Sequence, residues 1–364
     1  MDGLEVKLTI LGGFEQQLHS WAKKKGCFPL NSVWLFVTLH AGRCGPGGLS
    51  PRFRVSSRTS TSNMMDRRTF IQCLAGGALW AGCLPLQSLA RRPLRFGVVT
   101  DLHYAEKDTH GNRYFRQSRQ KLRDAVETFN RSGLDFIIEL GDLKDMNPTH
   151  DPAATLGFLD DIEAELQRFR GRVYHVLGNH DMDCITKEEF LEHTRNPGKA
   201  RGRSYYSFRA RGIQFIVLDA NFNEDRSPYG RGNFDWRKAY FPDEEIEWLG
   251  RELRHGRCPA IVCCHQLLDS FSGVRPEVCV SNAEEAVRLL EESGRVLAVL
   301  QGHHHSGNYS QRRGIHYWTM KGMIENQYPE HNSYAIVTVD PGGDITIEGF
   351  ADCESRRMDN TNSI

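Results

Sequence analysis

The sequence predicts an α/β protein, a four-layer α/β/β/α sandwich, on three observations. From residue 94 onward, short apolar runs rich in β-branched residues alternate with stretches of helical apolar spacing. Most of these runs end in a polar segment carrying Asp, His or Asn. Three further strand-like runs close the chain, and no internal repeat appears.

Taken in order, residues 96–100 read as the first strand. Leu122, Ala125, Val126 and Phe129 then mark one face of a helix at i, i+3, i+4 and i+7. Residues 136–140 and 173–177 are the next strands, separated by a helix over 154–169. Strands over 205–208 and 213–218 precede a helix over 243–253. Strands over 261–264 and 296–300 flank a helix over 283–290, and strands over 315–320, 334–339 and 345–347 finish the pattern. Polar residues behind such runs sit at strand C-terminal ends, on loops that converge on one edge of a sheet.

Five segments carry chemistry: Asp101-Leu102-His103, Gly141-Asp142, Gly178-Asn179-His180-Asp181, His265 and Gly302-His303-His304-His305. Together they supply oxygen and nitrogen donors for two divalent cations. Cations about 3.5–4 Å apart need a bridging carboxylate, further imidazole and carboxylate ligands, and room for water and a phosphoryl oxygen. Asp142 is the natural bridge. Taken singly, a D-x-H or G-D pair is common by chance, a strand-end Asp is often a cap, and a His triplet can be a surface chelator. Five blocks in order, each tied to a predicted strand, outweigh those alternatives. His304, between two donors, should point away from both and support the site rather than ligate.

The order and spacing resemble the calcineurin-like metallophosphoesterase superfamily, whose pattern is D-x-H, G-D, G-N-H-[DE], H and G-H-x-H. The resemblance implies the sandwich fold of that superfamily. It also implies one metal on Asp101, His103, Asp142 and His305, and a second on Asp142, Asn179, His265 and His303. His180 is left to stabilise phosphoryl charge and protonate the leaving oxygen, with Asp145 holding it. Arg113-Tyr-Phe-Arg-Gln-Ser118, the segment from Phe241 to Leu249, Gly302 to Tyr309, and Lys321 to Glu325 further resemble the manganese-dependent ADP-ribose/CDP-alcohol diphosphatases. Eukaryotic members of that family carry Gln where this chain has His103, which restores the standard ligand set.

The resemblance therefore implies a hydrolase with two divalent metals, manganese first, with iron or zinc as alternatives. Its substrates would be nucleoside diphosphate compounds, cut by in-line attack of a metal-bound hydroxide. A broad phosphomonoesterase, a cyclic nucleotide phosphodiesterase and a catalytically silent metal-binding scaffold are the other readings. Candidate substrate contacts lie on the rim: Tyr104, Arg113, Tyr114, Arg116, the loop 221–236, Asn308 and Tyr309.

A quarter of the residues are charged and the formal net charge is zero, so no nucleic-acid partner is expected. The chemistry runs without a linker in one catalytic domain over 91–353, roughly 260 residues, normal for a layered α/β fold; 354–364 is read as a tail. Ahead of it, Asp66-Arg67-Arg68-Thr69-Phe70-Ile71 is a twin-arginine pattern followed by an uncharged run from Gln72 to Ala90. Residues 64–90 are read as a Tat signal peptide cleaved after Ala90, giving a periplasmic or other extracytoplasmic enzyme that meets a membrane only during translocation. Trp80-Ala81-Gly82-Cys83 departs from a lipobox at Trp80, and lipid anchoring at Cys83 is the alternative. Met64 or Met65 would set the arginines where such signals carry them, so residues 1–63 read as a start-site misassignment or a disordered extension. Six of the ten cysteines fall in the mature chain, where buried free thiols are expected for Cys263 and Cys264. The sequence leaves disulfide and oligomeric states open.

Overall fold

The computed structural model describes residues 92–197 and 200–361 and two N-terminal strands, β1 (Leu35–His40) and β2 (Arg52–Ser57). These two strands pair antiparallel, Leu35 opposite Ser57, and belong to a unit, Met1–Gln87, distinct from Ser88–Ile364. The expected signal peptide over 64–90, the cleavage after Ala90 and the Cys83 anchor lie outside the described residues. Among the described residues no helix is long and apolar enough to cross a membrane.

The second unit is built on two six-stranded sheets. In the first, β3 (Leu94–Val99), β4 (Phe136–Glu139) and β5 (Arg172–His175) run parallel. The second contains the antiparallel pair β6 (Tyr206–Ala210) and β7 (Ile213–Val217), and β8 (Ala260–Cys264) and β9 (Val296–Gln301) run parallel to β7. Beyond β9 come β11 (Ile315–Thr319), parallel to it, and β10 (Asn308–Arg312), antiparallel to β11. On the other side of β3, the first sheet is extended by the antiparallel strands β12 (Ser333–Val339), β13 (Ile345–Ala351) and β14 (Arg356–Met358). The parallel strands β3, β4, β5, β8 and β9 are each followed by one of the five polar segments.

Side-chain alternation along the strands separates the layers. Phe215 and Val217 of β7 and Ile261 and Cys263 of β8 face the core shared with the first sheet, while Ile216, Val262 and Cys264 pack under α4 (Asp243–His255) and α5 (Ala283–Ser293). At the seam, Phe96 stacks on Phe136 at 5.0 Å and Phe215 on Phe208 at 4.9 Å, with Phe136 edge-on to Phe215 at 5.1 Å. Aromatic pairs of this kind add to the apolar area they bury. On the far face of the first sheet lie α1 (Ser118–Arg131) and α2 (Pro152–Leu166). The predicted face Leu122, Ala125, Val126 and Phe129 is the buried one on α1.

Boundaries differ from expectation where caps decide them. Helix α2 starts at Pro152 instead of 154, because the Asp151 carboxylate accepts the Ala153 and Ala154 N–H groups and Pro152 fills the first helical position. A short helix, α3 (Lys187–His193), was not expected, although its Thr186–Glu189 capping box is written in the sequence. Strands β10 and β14 were also missed. In β14, Arg356–Met358 pairs with β13 and Met358 is buried, so the sheet continues into the stretch read as a tail.

Candidate metal centre

The donors converge because their loops are tied to one another. Asp101 N–H donates to Gly141 O at 3.0 Å, His103 N–H to Asp142 O at 2.9 Å, and Gly302 N–H to His265 O at 3.0 Å. The Asp181 carboxylate accepts the backbone N–H groups of Gly178 (2.8 Å), Asp142 (3.0 Å) and Leu143 (3.0 Å), clamping the second and third segments together. Gly178 has no room for a Cβ against Asp142, and a Cβ on Gly141, itself at φ +100°, would meet His265 Nδ1 at 2.6 Å. Asp101, His103, Asp142 and His303 all lie in the left-handed region, at φ 50°, 46°, 56° and 66°. Such backbone strain in non-glycine residues is held by surrounding contacts and concentrates at functional sites.

Among the described residues four groups of His and Asp could hold a metal ion; two contain His180, with His103 and Asp142 and with Asp145 and Asp183, and the other two match the expected ligands. Asp101, His103 and His305 bring one ligand atom each together, and Asp142, His265 and His303 do the same. His305 Nε2 lies 3.1 Å from His103 Nε2 and 3.2 Å from Asp101 Oδ1, while its Nδ1 donates to Glu325 Oε1 at 2.7 Å. His265 Nδ1 donates to Leu140 O at 2.8 Å, and its Nε2 lies 3.1 Å from Asp142 Oδ2. Asp142 Oδ2 is also 3.5 Å from His103 Nε2, so it faces both groups. Asn179 Oδ1, His265 Nε2 and His303 Nε2 are buried without a hydrogen-bond partner. Ring nitrogens and carboxylate oxygens crowded together in a buried site, with outer nitrogens anchored by Glu325 and Leu140, fit divalent cations.

Charge follows the same logic. Burial opposes ionisation of Asp101 and Asp142, but the surrounding imidazoles overrule it and hold both carboxyls below the usual carboxylate range. Burial and the neighbouring His265 push His303 down to about 3, leaving it a neutral donor. His180 is raised instead. Burial opposes its charge, yet Asp142, Asp145 and Asp183 hold the imidazole protonated well above its ordinary value.

His180 is partly exposed on the cleft, and its backbone N–H donates to Asp142 Oδ1 at 2.7 Å. Asp145 Oδ1 is 3.7 Å from His180 Nδ1, while its Oδ2 lies 3.6 Å from His103 Nδ1 and Lys107 Nζ reaches Oδ1 at 2.9 Å. The nearer carboxylate is Asp183, with Oδ2 3.4 Å from His180 Nδ1, a residue the sequence reading passed over. His304 belongs to neither donor group and lines the cleft wall.

The rim is largely rearranged from expectation. The cleft measures about 310 Å³ and Arg113 is on it. Tyr104 is buried and its hydroxyl donates to Glu106 at 2.7 Å. Arg116 pairs with Glu106 and Asp108 away from the cleft. Asn308 donates to Asp269 and Ser272, and the Tyr309 hydroxyl bonds His316 at 2.9 Å. In this structure all four are engaged by nearby side chains. Trp236, at the end of the expected loop, does face the cleft, together with Arg275 and Glu325.

Two metal-donor groups sharing one carboxylate at the strand ends of an α/β sandwich define a dinuclear-metal phosphoesterase. Residues 94–307 match the model of the calcineurin-like phosphoesterases, and the chain belongs to that family. It is similar to the manganese-dependent ADP-ribose/CDP-alcohol diphosphatase of Arabidopsis thaliana, 28% identical over 281 residues covering 65% of this chain and 89% of the relative. The protein of the same name from Xenopus laevis is 24% identical over 305 residues, 67% of this chain and 84% of the relative. Among solved structures, a dimetal phosphatase from Danio rerio superposes with a TM-score of 0.64 at 21% identity, covering 74% of this chain and 99% of that one. At this identity the likeness establishes the fold.

Proposed function

We propose that this protein is an exported hydrolase of nucleoside diphosphate compounds, cleaving a pyrophosphate or phosphodiester bond of the ADP-ribose or CDP-alcohol kind. The observation that carries the reading is the meeting of both donor groups on Asp142, with His180 beside it on the open cleft. The names of the relatives support the choice of substrate. In this reading Asp101, His103, Asp142 and His305 hold one cation, and Asp142, Asn179, His265 and His303 the other, manganese being the first candidate. Divalent cations there would neutralise phosphoryl oxygens and make water acidic enough to attack phosphorus.

The chain's own groups do the rest. His180 faces Asp183 and Asp145 through Nδ1, so the proton on its other ring nitrogen is the one available to the departing oxygen. As the water oxygen bonds to phosphorus and the bond to the leaving oxygen breaks, that proton passes to the leaving group. The same imidazolium offsets the charge gathering on the phosphoryl oxygens.

A broad phosphomonoesterase is the second reading, favoured by the engagement of Tyr104, Arg116, Asn308 and Tyr309, four of the expected rim residues, by neighbouring side chains. Turnover of ADP-ribose, CDP-choline, cyclic AMP, bis(p-nitrophenyl) phosphate and p-nitrophenyl phosphate with added Mn²⁺ separates the two. The diphosphates should give the highest kcat/KM. A rate advantage for p-nitrophenyl phosphate makes the phosphatase reading correct.

A further inference from the structure

One wall of the cleft is built from two short turns that pack together, Trp236–Lys238 and Pro276–Val278. Trp236 opens the first turn. It is 39% exposed and is the one large apolar side chain that is exposed among the described residues. Its ring stands edge-on to the His303 imidazole at 5.6 Å, so the exposed indole lies beside a metal donor. The turn is fixed from behind: Asp235 accepts the Arg237 N–H at 3.2 Å, and Tyr229 stacks on Phe234 at 4.1 Å. A single exposed apolar side chain is ordinary on a surface; what sets Trp236 apart is its place on the cleft beside His303.

Arg275 immediately precedes the second turn and lines the same cleft. The other arginines of the surrounding loops have carboxylate partners: Arg113 faces Glu325 at 3.9 Å, Arg231 pairs with Glu189 at 2.6 Å, and Arg237 with Asp235 at 2.7 Å. Among the described residues the Arg275 guanidinium has no ion pair and no side-chain hydrogen bond. An unpaired guanidinium fork beside a phosphoryl site is a ready partner for a second phosphate, to which it can bond bidentately. An indole face alongside offers a stacking platform to any base.

We infer that Arg275 and Trp236 form a subsite for the part of the substrate beyond the reacting phosphorus. The guanidinium takes the second phosphate of a diphosphate linkage and the indole takes the nucleobase. This rests on the diphosphatase reading and deepens it: specificity lies on the His303 side of the cleft, whereas Arg113 faces Glu325 at 3.9 Å. A simple monoester such as p-nitrophenyl phosphate has neither a second phosphate nor a nucleobase to offer the subsite.

The test has two arms. In the first, kcat/KM is measured on Mn²⁺-loaded enzyme for CDP-choline and for bis(p-nitrophenyl) phosphate. Arg275→Gln and Trp236→Ala should each lower the ratio of the two by roughly tenfold, the scale of one charged hydrogen bond or one stacked base. Trp236→Phe, which keeps a π-face, should restore most of it. Equal losses on both substrates, or no change in the ratio, overturn the subsite. In the second arm, intrinsic tryptophan fluorescence of metal-free protein is titrated with ADP and with inorganic phosphate. ADP should quench the wild type, and Trp236→Phe should remove that quenching; quenching that survives the substitution also overturns the subsite. If wild-type enzyme prefers p-nitrophenyl phosphate while the ADP quenching still depends on Trp236, the function reading fails and the subsite stands.

Discussion

Asp142 uses its two oxygens for different work. Oδ1 accepts the His180 N–H at 2.7 Å, and Oδ2 faces His265 Nε2 at 3.1 Å and His103 Nε2 at 3.5 Å. Asp142→Asn keeps the volume but loses the charge shared between the donor groups. It should lose at least one of two bound manganese ions, measured by elemental analysis, and nearly all turnover. His180→Ala removes a proton donor but none of the residues assigned to the two cations, so it should keep both metals and lower kcat by about 10²–10⁴. The pair of variants is diagnostic: metal loss in His180→Ala, or two tight metals with normal rate in Asp142→Asn, breaks the assignment. At this scale the donors were legible because each is fixed by a short motif behind its own strand. Asp183, Glu325 and Arg275 were not, because each reaches the site through a loop whose path no local spacing encodes.

The ends of β4 and β5 share a buried charge cluster that supports the bridge from behind. Glu139, the last residue of β4, accepts the Gly141 N–H at 2.6 Å and lies 3.2 Å from His175 Nδ1 at the end of β5. Glu163 of α2 lies 3.2 Å from His175 Nε2, so one imidazole sits between two carboxylates out of water. Burial alone would lower the His175 pKa, but Glu163 and Glu139 raise it from 6.5 to about 10. A raised histidine contributes stability fully below its unfolded value near 6.5, and that contribution is lost as pH climbs toward 10. Replacing His175 with leucine strands both carboxylates and should cost about 3–5 kcal/mol near pH 7. The margin of wild type over His175→Leu, measured by urea unfolding of metal-free protein, should shrink between pH 7 and 10; a constant or widening margin contradicts a charged His175. Sequence patterning found the apolar strands β4 and β5 because burial dictates their composition. It missed β10 and β14, short polar strands at the sheet edges whose pairing comes from neighbours instead of their own apolar period.

At the scale of the whole molecule, the metal donors come from both sheets, so the site exists only once the sandwich has closed. The fold class was readable because parallel strands buried on two faces must be apolar, while the rim was not, since its residues are chosen by contacts distant in sequence. Tyr104 illustrates the loss: an aromatic after a metal motif suggested a substrate shelf, and packing made it core. We propose that the finished enzyme leaves by the twin-arginine route, which carries folded proteins, on the strength of Arg67-Arg68 ahead of an uncharged run. The six cysteines of Ser88–Ile364 are free, so closure of the sandwich does not wait for an oxidising compartment. Replacing Arg67 and Arg68 together with lysine should therefore leave a folded, metal-competent precursor in the cytoplasm, whereas removing residues 2–63 should leave export intact. Fractionation with an activity assay on each compartment reads both outcomes, and enzyme reaching the exterior without the arginine pair would mean that another signal directs it.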